Sequence, residues 1–470
     1  MNINVIVRAS DRVKQKIKYG FTLLFQPLRV QLTFTEDVSS TGVNIFYGSE
    51  PPSTVTKVFF IKSSPDFETC VASSELPDIS ETKWIEFAGR RLPVLFPTAN
   101  GGSASKLNFD IAAATFMLAS DFQDLISHER DEYDRMRAMD SLQDKLGVID
   151  FPVVNYYSQL LKKELEEFFG IRIEPKSYGS KNCGLALTHD VDYTSSLNLR
   201  MIRRAIFGHA ILNKEGLSPN ERAVKLIYPL LALVGYNPPK SGLYFLRDLE
   251  TKSNVKSTFF IKTGATAKQD VKYNYRSGKM KRFLGSLIDY GFEIGIHPSM
   301  NTYVDAKQTI KEKVRLEELL GKEVRSVRQH YLKFTIGRTV EVWEEAGLHY
   351  DSTLGFSRKA GFRNSVGFPY PLYNFAQDRI SSVIELPLMI MDATIAENRR
   401  LTADQSFQEM RGLINETKAS HGAAAILFHN SIADPIDFPG YKKVYGRLID
   451  DAKHDDFALD SLSGIIENYR

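Results

Sequence analysis

A regular alternation of strand-like and helix-like segments in residues 184–431 constrains the fold more than any other feature. Short apolar runs such as FEIGIH (292–297) and AAAILFHNS (423–431) alternate with amphipathic segments such as KMKRFLGSLIDYG (279–291). A strand followed by a helix, six or seven times over, is typical of a parallel sheet with crossover helices. Over this length the pattern predicts an α/β fold, namely a distorted (β/α) barrel of seven or eight strands.

Residues 1–175 have a different character and show no such repeat. They contain short β-branched runs, such as GVNIFYG (42–48), and a predicted hairpin in WIEFAGRRLPVLFP (84–97). Helical spacing of apolar residues follows in NFDIAAATFMLASDFQDL (108–125) and in SQLLKKELEEFFG (158–170), which ends in a glycine. We expect a smaller α+β domain of unknown role here, and we find no catalytic constellation in it.

Length and composition limit the remaining possibilities. A chain of 470 residues suggests two or three domains, and we assign residues 176–470 to the barrel, with a helical insertion at about 197–250. The formal charge of +3 argues against a nucleic-acid binder and against a polybasic membrane anchor. The two cysteines, Cys70 and Cys183, form no disulfide framework or CxxC site, which favours a reducing compartment.

Targeting and membrane signals are weak in this sequence. The N-terminal residues have no apolar core of secretory length. The longest apolar stretch, LIYPLLALVGY (226–236), is too short to span a bilayer of ~30 Å. We therefore expect a cytoplasmic protein without a transmembrane segment.

Polar residues stand where the predicted strands end. Ligands and catalytic groups of parallel α/β folds gather at this edge of the sheet. Residues at this edge are of the types that bind metals or move protons, and so we treat the set as functional. Its members are Asp190, Asp192, His297, Arg328, His330, Asp351, Asp392 and His429.

The first strand, GLALTHDVDYT (184–194), carries two carboxylates. Asp190 and Asp192 are two residues apart and so project from the same face of a strand. Close carboxylates repel each other unless a cation lies nearby. The alternative is a pair that caps a loop, and the buried strand before it weakens that alternative.

The other strand-end residues have their own alternatives. His297 alone could be a satisfied core histidine, but with Asp192 it is a candidate ligand of zinc, iron or cobalt. Arg328 could be a surface ion-pair partner. For Asp351 we favour a role in capping the following turn.

The ordered motifs THDVD, TFFIKTG, EIGIHPS, VRQH and LFHN resemble the polysaccharide deacetylase (NodB homology) domain of the family four carbohydrate esterases. The resemblance covers roughly residues 176–470 and is greatest to a bacterial subgroup with HDVD and HPS motifs. The N-terminal half resembles the uncharacterised domain of that subgroup, in ATFMLASDFQDL and GVIDFPVVNYYSQLL.

The resemblance implies a role for most strand-end residues. Asp190 corresponds to the general base, and Arg328 to the arginine that orients it. Asp192 and His297 correspond to metal ligands. His429 corresponds to the general acid, with Asp392 as the aspartate that tunes it.

One position departs from the family pattern. Asn301 stands four residues after His297, where the HxxxH motif has its second histidine. An amide oxygen is a poorer zinc ligand than an imidazole. The third ligand could be Asn301 itself, His330 or His189, and we favour His330 over His189 because His189 faces away from Asp190 on an ideal strand.

The resemblance implies a metal-dependent hydrolase, most simply a zinc enzyme, that removes an N-acetyl group from a sugar or polysaccharide intermediate. Two alternatives stay open. The chain could be a degenerate deacetylase barrel that binds carbohydrate without turnover, for which Asn301 is the main support. It could also hydrolyse a different C–N amide or a small acyl ester.

Overall fold

The computed structural model contains a four-stranded sheet in the N-terminal region, a ten-stranded sheet in the remainder, and a separate hairpin. It describes residues 1–39, 42–53, 57–98, 107–195, 234–398 and 401–470, with a few positions between 219 and 232. Most of the predicted insertion at 197–250 lies outside the described residues. Within them, no helix is long and apolar enough to cross a membrane.

The four-stranded sheet is entirely parallel, with strand order β2-β1-β3-β4. Helix α1 (Asp11–Phe25) forms the crossover between β1 and β2, as parallel pairing requires. Neither β1 nor α1 was predicted from the sequence, although β1 reads NINVIV. The strands are β1 (Asn2–Val7), β2 (Gln31–Thr35), β3 (Val43–Gly48) and β4 (Phe59–Lys62).

Among the described residues, the rest of the N-terminal region contains a hairpin and five α-helices. The expected hairpin is present as β5 (Lys83–Phe87) and β6 (Arg90–Val94), which pair antiparallel across a turn at Gly89. Gly89 has φ of +74°, a conformation that favours glycine. The helices are α2 (Pro65–Ser73), α3 (Ile111–Ala119), α4 (Phe122–Ile126), α5 (Leu142–Lys145) and α6 (Val153–Phe169).

The larger sheet contains the predicted run of parallel strands. Its order is β12-β13-β11-β10-β9-β8-β7-β15-β14, and β16 also pairs with β7. All pairs are parallel except β12 with β13. The strands are β7 (Gly184–Val191), β8 (Thr258–Ile261), β9 (Glu293–Ile296), β10 (Ser326–Val327), β11 (Tyr350–Asp351), β12 (Tyr370–Asn374), β13 (Arg379–Glu385), β14 (Leu388–Met391), β15 (Ala423–Leu427) and β16 (Ala458–Asp460).

The two ends of this sheet are joined through the chain itself. Only Leu386 and Pro387 separate β13, the last parallel strand next to the β12 edge, from β14, at the other edge. The Leu386 amide donates to the carbonyl of Asp351 on β11, and the Ala425 amide of β15 donates to the carbonyl of Pro387. The sheet therefore curls back on itself as a distorted (β/α) barrel, which confirms the predicted fold class.

Crossover helices follow the strands, and several begin with a side-chain cap. Ser277 accepts a hydrogen bond from the amide of Met280 at the start of α8, and Asp305 accepts from Gln308 at the start of α9. These helices are α7 (Pro238–Lys252), α8 (Gly278–Asp289), α9 (Ala306–Leu320), α10 (Thr339–Glu345), α11 (Ala403–Ala419), α12 (Tyr441–His454) and α13 (Leu462–Glu467).

The N-terminal region packs against the barrel through buried polar contacts. The Tyr19 hydroxyl of α1 donates to the carbonyl of Pro371 at 2.9 Å. Arg363 Nη2 lies 2.5 Å from Asp124 Oδ2, and Asn364 Nδ2 donates to Asp121 Oδ2 at 2.8 Å. One cluster of buried apolar residues runs through both regions. The N-terminal region and the barrel therefore share one buried core.

Candidate active site

The strand ends place the predicted residues at one edge of the barrel. Asp190 is the second-last residue of β7, and Asp192 directly follows that strand. His297 follows β9, Arg328 follows β10, Asp392 follows β14, and His429 comes two residues after β15. Because the strands are parallel, their carboxyl ends meet, which is where ligand sites of this architecture form.

Three of these residues form a candidate metal site. The ligand atoms of Asp192, His297 and His330 all lie within 4.8 Å of one another. Asp192 Oδ1 is 3.3 Å from His297 Nε2 and 3.2 Å from His330 Nε2. Both histidines are buried. Two imidazole nitrogens and one carboxylate oxygen are the donor set of a catalytic zinc site that keeps a further position for water.

The remaining ring nitrogens of the two histidines are both held. His297 Nδ1 donates to the carbonyl of Arg328 at 2.6 Å, and His330 Nδ1 donates to Asp270 Oδ1 at 2.7 Å. In the neutral form each ring therefore carries its lone pair on Nε2, facing Asp192. Such contacts commonly orient metal-binding histidines.

Charges at this site are arranged around Asp192. Burial raises its pKa, but His330 and His297 outweigh that effect and hold the pKa well below its usual range. Burial lowers the pKa of His330, and Asp192 and Asp270 more than offset this, so that it is raised. Asp192 Oδ1 has no hydrogen-bond partner within the described part of the chain. The anionic oxygen thus points at the two imidazoles, as a cation site requires, and these residues fit a divalent metal.

Asp270 was missed by the sequence analysis. Its Oδ2 accepts from the amides of Thr266 and Ala267, and its Oδ1 accepts from the amide of Met300. Burial raises its pKa, but His330 and these amides outweigh the effect and lower the pKa to about 2. It lies in the loop after β8, where no periodicity points to it.

Lys262 was also missed, although it directly follows β8 and obeys the same strand-end rule. Its side chain is buried, and Nζ has no hydrogen-bond partner among the described residues. Burial lowers its pKa, against the opposing effect of Asp192, Asp270 and Glu312. Lys262 therefore places a positively charged side chain close to the candidate metal site.

Two alternatives for the third ligand lie elsewhere. Asn301 is exposed, and its amide Nδ2 donates to the carbonyl of Thr266 at 3.4 Å. His189 is fully buried, with Nδ1 2.8 Å from the carbonyl of Phe428 and Nε2 2.7 Å from Glu250 Oε1. The role of Asn301 as a ligand stays a prediction, whereas both ring nitrogens of His189 are already engaged.

A buried network of charged side chains lies next to Asp190. Arg328 Nη1 is 3.7 Å from Asp190 Oδ1, and the guanidinium rests over the Phe260 ring at 5.0 Å. A Cβ atom at Gly295 would come within 2.5 Å of that ring, so the glycine of FEIGIH permits the close approach. Arg328 is fully buried, unlike a surface ion-pair partner.

Asp351 and Glu385 flank the same arginine. The Thr353 hydroxyl donates to Asp351 Oδ1 at 2.6 Å, as expected of a residue that caps the turn. Burial raises the pKa of both carboxyls, and Asp351 raises that of Glu385 further. Two such close carboxyls in the barrel interior disfavour carrying both negative charges at once.

His429 and Asp392 form a hydrogen-bonded pair beyond the ends of β15 and β14. His429 Nδ1 is 2.6 Å from Asp392 Oδ1, and the His429 amide donates to Asp392 Oδ2 at 2.7 Å. Burial lowers the pKa of His429, but Asp392 outweighs it and raises the pKa to about 10. His429 Nε2 lies 3.8 Å from Asp192 Oδ2, so the imidazolium faces the candidate metal site.

Fold and site together define a (β/α) barrel with a candidate Asp–His–His metal site at the carboxyl edge of its strands. Residues 5–170 match the model of a family of unknown function, DUF7033. The sequence matches no curated protein.

Several solved structures are similar to this chain. A protein designated a polysaccharide deacetylase from Mycobacterium smegmatis is 19% identical, with 62% of this chain and 91% of that chain covered and a TM-score of 0.40. One from Pseudomonas aeruginosa is 14% identical, with 61% and 91% covered and a TM-score of 0.40. A pseudoenzyme of the CE4 family from Bacillus anthracis is 12% identical, with 63% and 69% covered and a TM-score of 0.34. The fold assignment above stands on the strand pairing of this chain itself.

Proposed function

We propose that this protein is a metal-dependent hydrolase that removes an N-acetyl group from a sugar or polysaccharide intermediate. One observation carries the proposal. Asp192, His297 and His330 converge between the buried Asp190 and the His429–Asp392 pair. The resemblance of the ordered motifs to polysaccharide deacetylases supports the choice of substrate class.

Asp192, His297 and His330 would hold the metal, with zinc favoured by the donor set and cobalt or iron as alternatives. Such a metal, when bound, polarises an amide carbonyl and lowers the pKa of a water molecule toward ~7. Asp270 and the carbonyl of Arg328 fix the two imidazoles that face it.

Asp190 is the proposed general base. Its Oδ1 has no hydrogen-bond partner among the described residues and lies in the field of Arg328. A carboxylate oxygen without a competing hydrogen bond can accept a proton from an attacking water molecule. His297 Nε2 is 3.9 Å from Asp190 Oδ2, so the base borders the metal ligands.

His429 is the proposed general acid. Amide hydrolysis needs a proton on the departing amine, and a histidine whose pKa is raised to about 10 carries that proton at neutral pH. Asp392 binds Nδ1 and leaves Nε2 free to deliver it. Asp190 thus supplies the base and His429 the acid, from two different strands around the same ligand cluster.

The alternative of a carbohydrate-binding protein without turnover rested on Asn301. His330 offers an imidazole in place of the missing histidine, which supports a metal site over that alternative. Hydrolysis of a different C–N amide would use the same groups.

The test is acetate release from N-acetylglucosamine oligomers, measured with the zinc-loaded protein. Asp190→Asn keeps the shape of the base but removes its charge, and we expect at least a hundredfold loss of rate. Asp248→Asn is the matched control, because Asp248 is exposed and pairs only with Arg247 among the described residues. Equal rates for both variants would refute the base assignment. Zinc binding without acetate release would favour another amide or the non-catalytic alternative.

A further inference from the structure

A short turn of the N-terminal region reaches the loop that carries His330. Residues 130–136 form a tight turn closed by an antiparallel bridge between Arg130 and Met136. Asp131 fastens it, because its Oδ1 accepts from the amides of Tyr133 at 2.9 Å and Arg135 at 3.0 Å. The turn is therefore held closed by its own hydrogen bonds.

Arg135 connects this turn to the barrel. Its Nε donates to Asp131 Oδ2 at 2.9 Å, and Nη2 lies 2.7 Å from the same oxygen. Its Nη1 donates to the carbonyl of Tyr331 at 2.6 Å. The side chains of Arg135 and Asp131 are only 11% and 7% exposed, so the guanidinium is fixed between two partners. A planar fork of donors suits such a bridge.

A row of rings follows the same path. The Tyr133 ring lies 4.7 Å from the Tyr331 ring, which lies 4.6 Å from the His330 ring. His330 in turn lies 4.9 Å from His297. The N-terminal turn therefore contacts the candidate ligands through one intervening residue, Tyr331.

The backbone after His330 needs external support. Tyr331 and Leu332 have φ of +63° and +52°, two consecutive left-handed residues that are not glycine. This conformation is unfavourable for residues with a Cβ atom and persists only where surrounding contacts hold it. Arg135 binds the carbonyl between these two residues, at the centre of the strained segment.

We propose that residues 130–136 of the N-terminal region form a positioning element of the active site, in which Arg135 holds the Tyr331 carbonyl and thereby fixes His330 for metal binding. The inference rests on the proposed function for the identity of His330 as a ligand. It assigns a role in the site to a segment within the family of unknown function that residues 5–170 match.

The experiment compares Arg135→Ala with Arg137→Ala as the matched control. Arg137 directly follows this turn but pairs with Glu129 and Asp140, both of the N-terminal region. Two quantities are measured on each full-length variant. One is hydrogen–deuterium exchange of residues 328–336 in metal-free protein, and the other is the Kd for Co²⁺ by competition with a chromogenic chelator.

We expect Arg135→Ala to accelerate exchange in this segment by about tenfold or more and to raise the Kd by about 10- to 100-fold, the range for residues that orient metal ligands. Arg137→Ala should behave like the wild type. Arg135→Lys should lie between them, because a single ammonium cannot reproduce the fork to Asp131 and Tyr331.

Arg135→Ala behaving as Arg137→Ala in both measurements would overturn the proposal. If the wild type binds no Co²⁺, the proposed function fails, and exchange in residues 328–336 alone decides whether the turn positions the loop. If Arg135→Ala does not fold, the comparison of Arg135→Lys with Arg137→Ala decides, and equal values again overturn the proposal.

Discussion

The choice between His330 and Asn301 as the third metal ligand can be decided by a pair of alanine variants. His330 Nε2 is 3.2 Å from Asp192 Oδ1, whereas Asn301 is exposed and engaged with Thr266. His330→Ala should therefore weaken metal binding strongly, and Asn301→Ala should leave it unchanged.

The size of the effect follows from the number of ligands. Structural zinc sites with four ligands bind with about 10–16 kcal/mol, or about 3 kcal/mol for each ligand. Losing one imidazole should raise the Kd for zinc about 100-fold, since 1.4 kcal/mol is a factor of ten. At a free zinc concentration of 100 times the wild-type Kd, the metal stabilises the wild type by about 2.7 kcal/mol. The same concentration should stabilise His330→Ala by only about 0.4 kcal/mol.

Both quantities can be measured independently. Competition with a zinc chelator gives the Kd, and urea unfolding with and without zinc gives the stabilisation. A loss in Asn301→Ala equal to that in His330→Ala would refute the assignment of the third ligand. Unchanged binding in His330→Ala would refute the geometry of the site as a whole.

Three further variants test groups outside the ligand set. Lys262→Met should tighten zinc binding severalfold, because it removes a buried cation near Asp192, and weaker binding in a chelator titration would contradict that placement. Glu250→Ala should lower the free energy of unfolding by about 3–5 kcal/mol, because it removes the buried carboxylate that binds His189 Nε2. Glu318→Ala at an exposed ion pair should change the free energy of unfolding by less than about 0.5 kcal/mol in the same urea titration. Burial raises the pKa of Asp110 to about 6 from 3.8, so the folded state holds its proton more tightly and stability is lost as pH rises through 6. The wild type should therefore gain about 1 kcal/mol relative to Asp110→Asn between pH 7 and pH 5, and a parallel response of the two proteins in urea unfolding would contradict the raised pKa.

Most barrel strands could be predicted from the sequence because a buried apolar run is followed by a helix of clear period. FEIGIH and AAAILFHNS contain β9 and β15 at the expected positions. The parallel sheet of the N-terminal region could not be predicted in the same way, because its strands do not alternate regularly with helices. The antiparallel β12 was missed for a related reason, because its pairing with β13 depends on a turn and not on any period in the sequence.

The site shows the same division between local and tertiary information. Strand-end residues could be identified because parallel strands bring their ends together whatever the loops do. Asp270 and Arg135 could not, because each lies in an irregular segment and reaches the site only through the packed fold. Lys262 is different, since it follows a predicted strand and the strand-end rule applied to it equally.

The role of Asn301 has a different meaning once the next strand is considered. In the HxxxH motif of the deacetylases that this sequence resembles, both histidines come from one turn, whereas here His297 and His330 come from the ends of β9 and β10, which are neighbours in the sheet. Parallel neighbours lie about 5 Å apart, so these two strand ends can present both imidazoles to one cation. The loop after β10 is strained at Tyr331 and Leu332, and His330 therefore needs support from other residues. Asp270 binds the His330 ring and Arg135 binds the Tyr331 carbonyl, and together they supply that support.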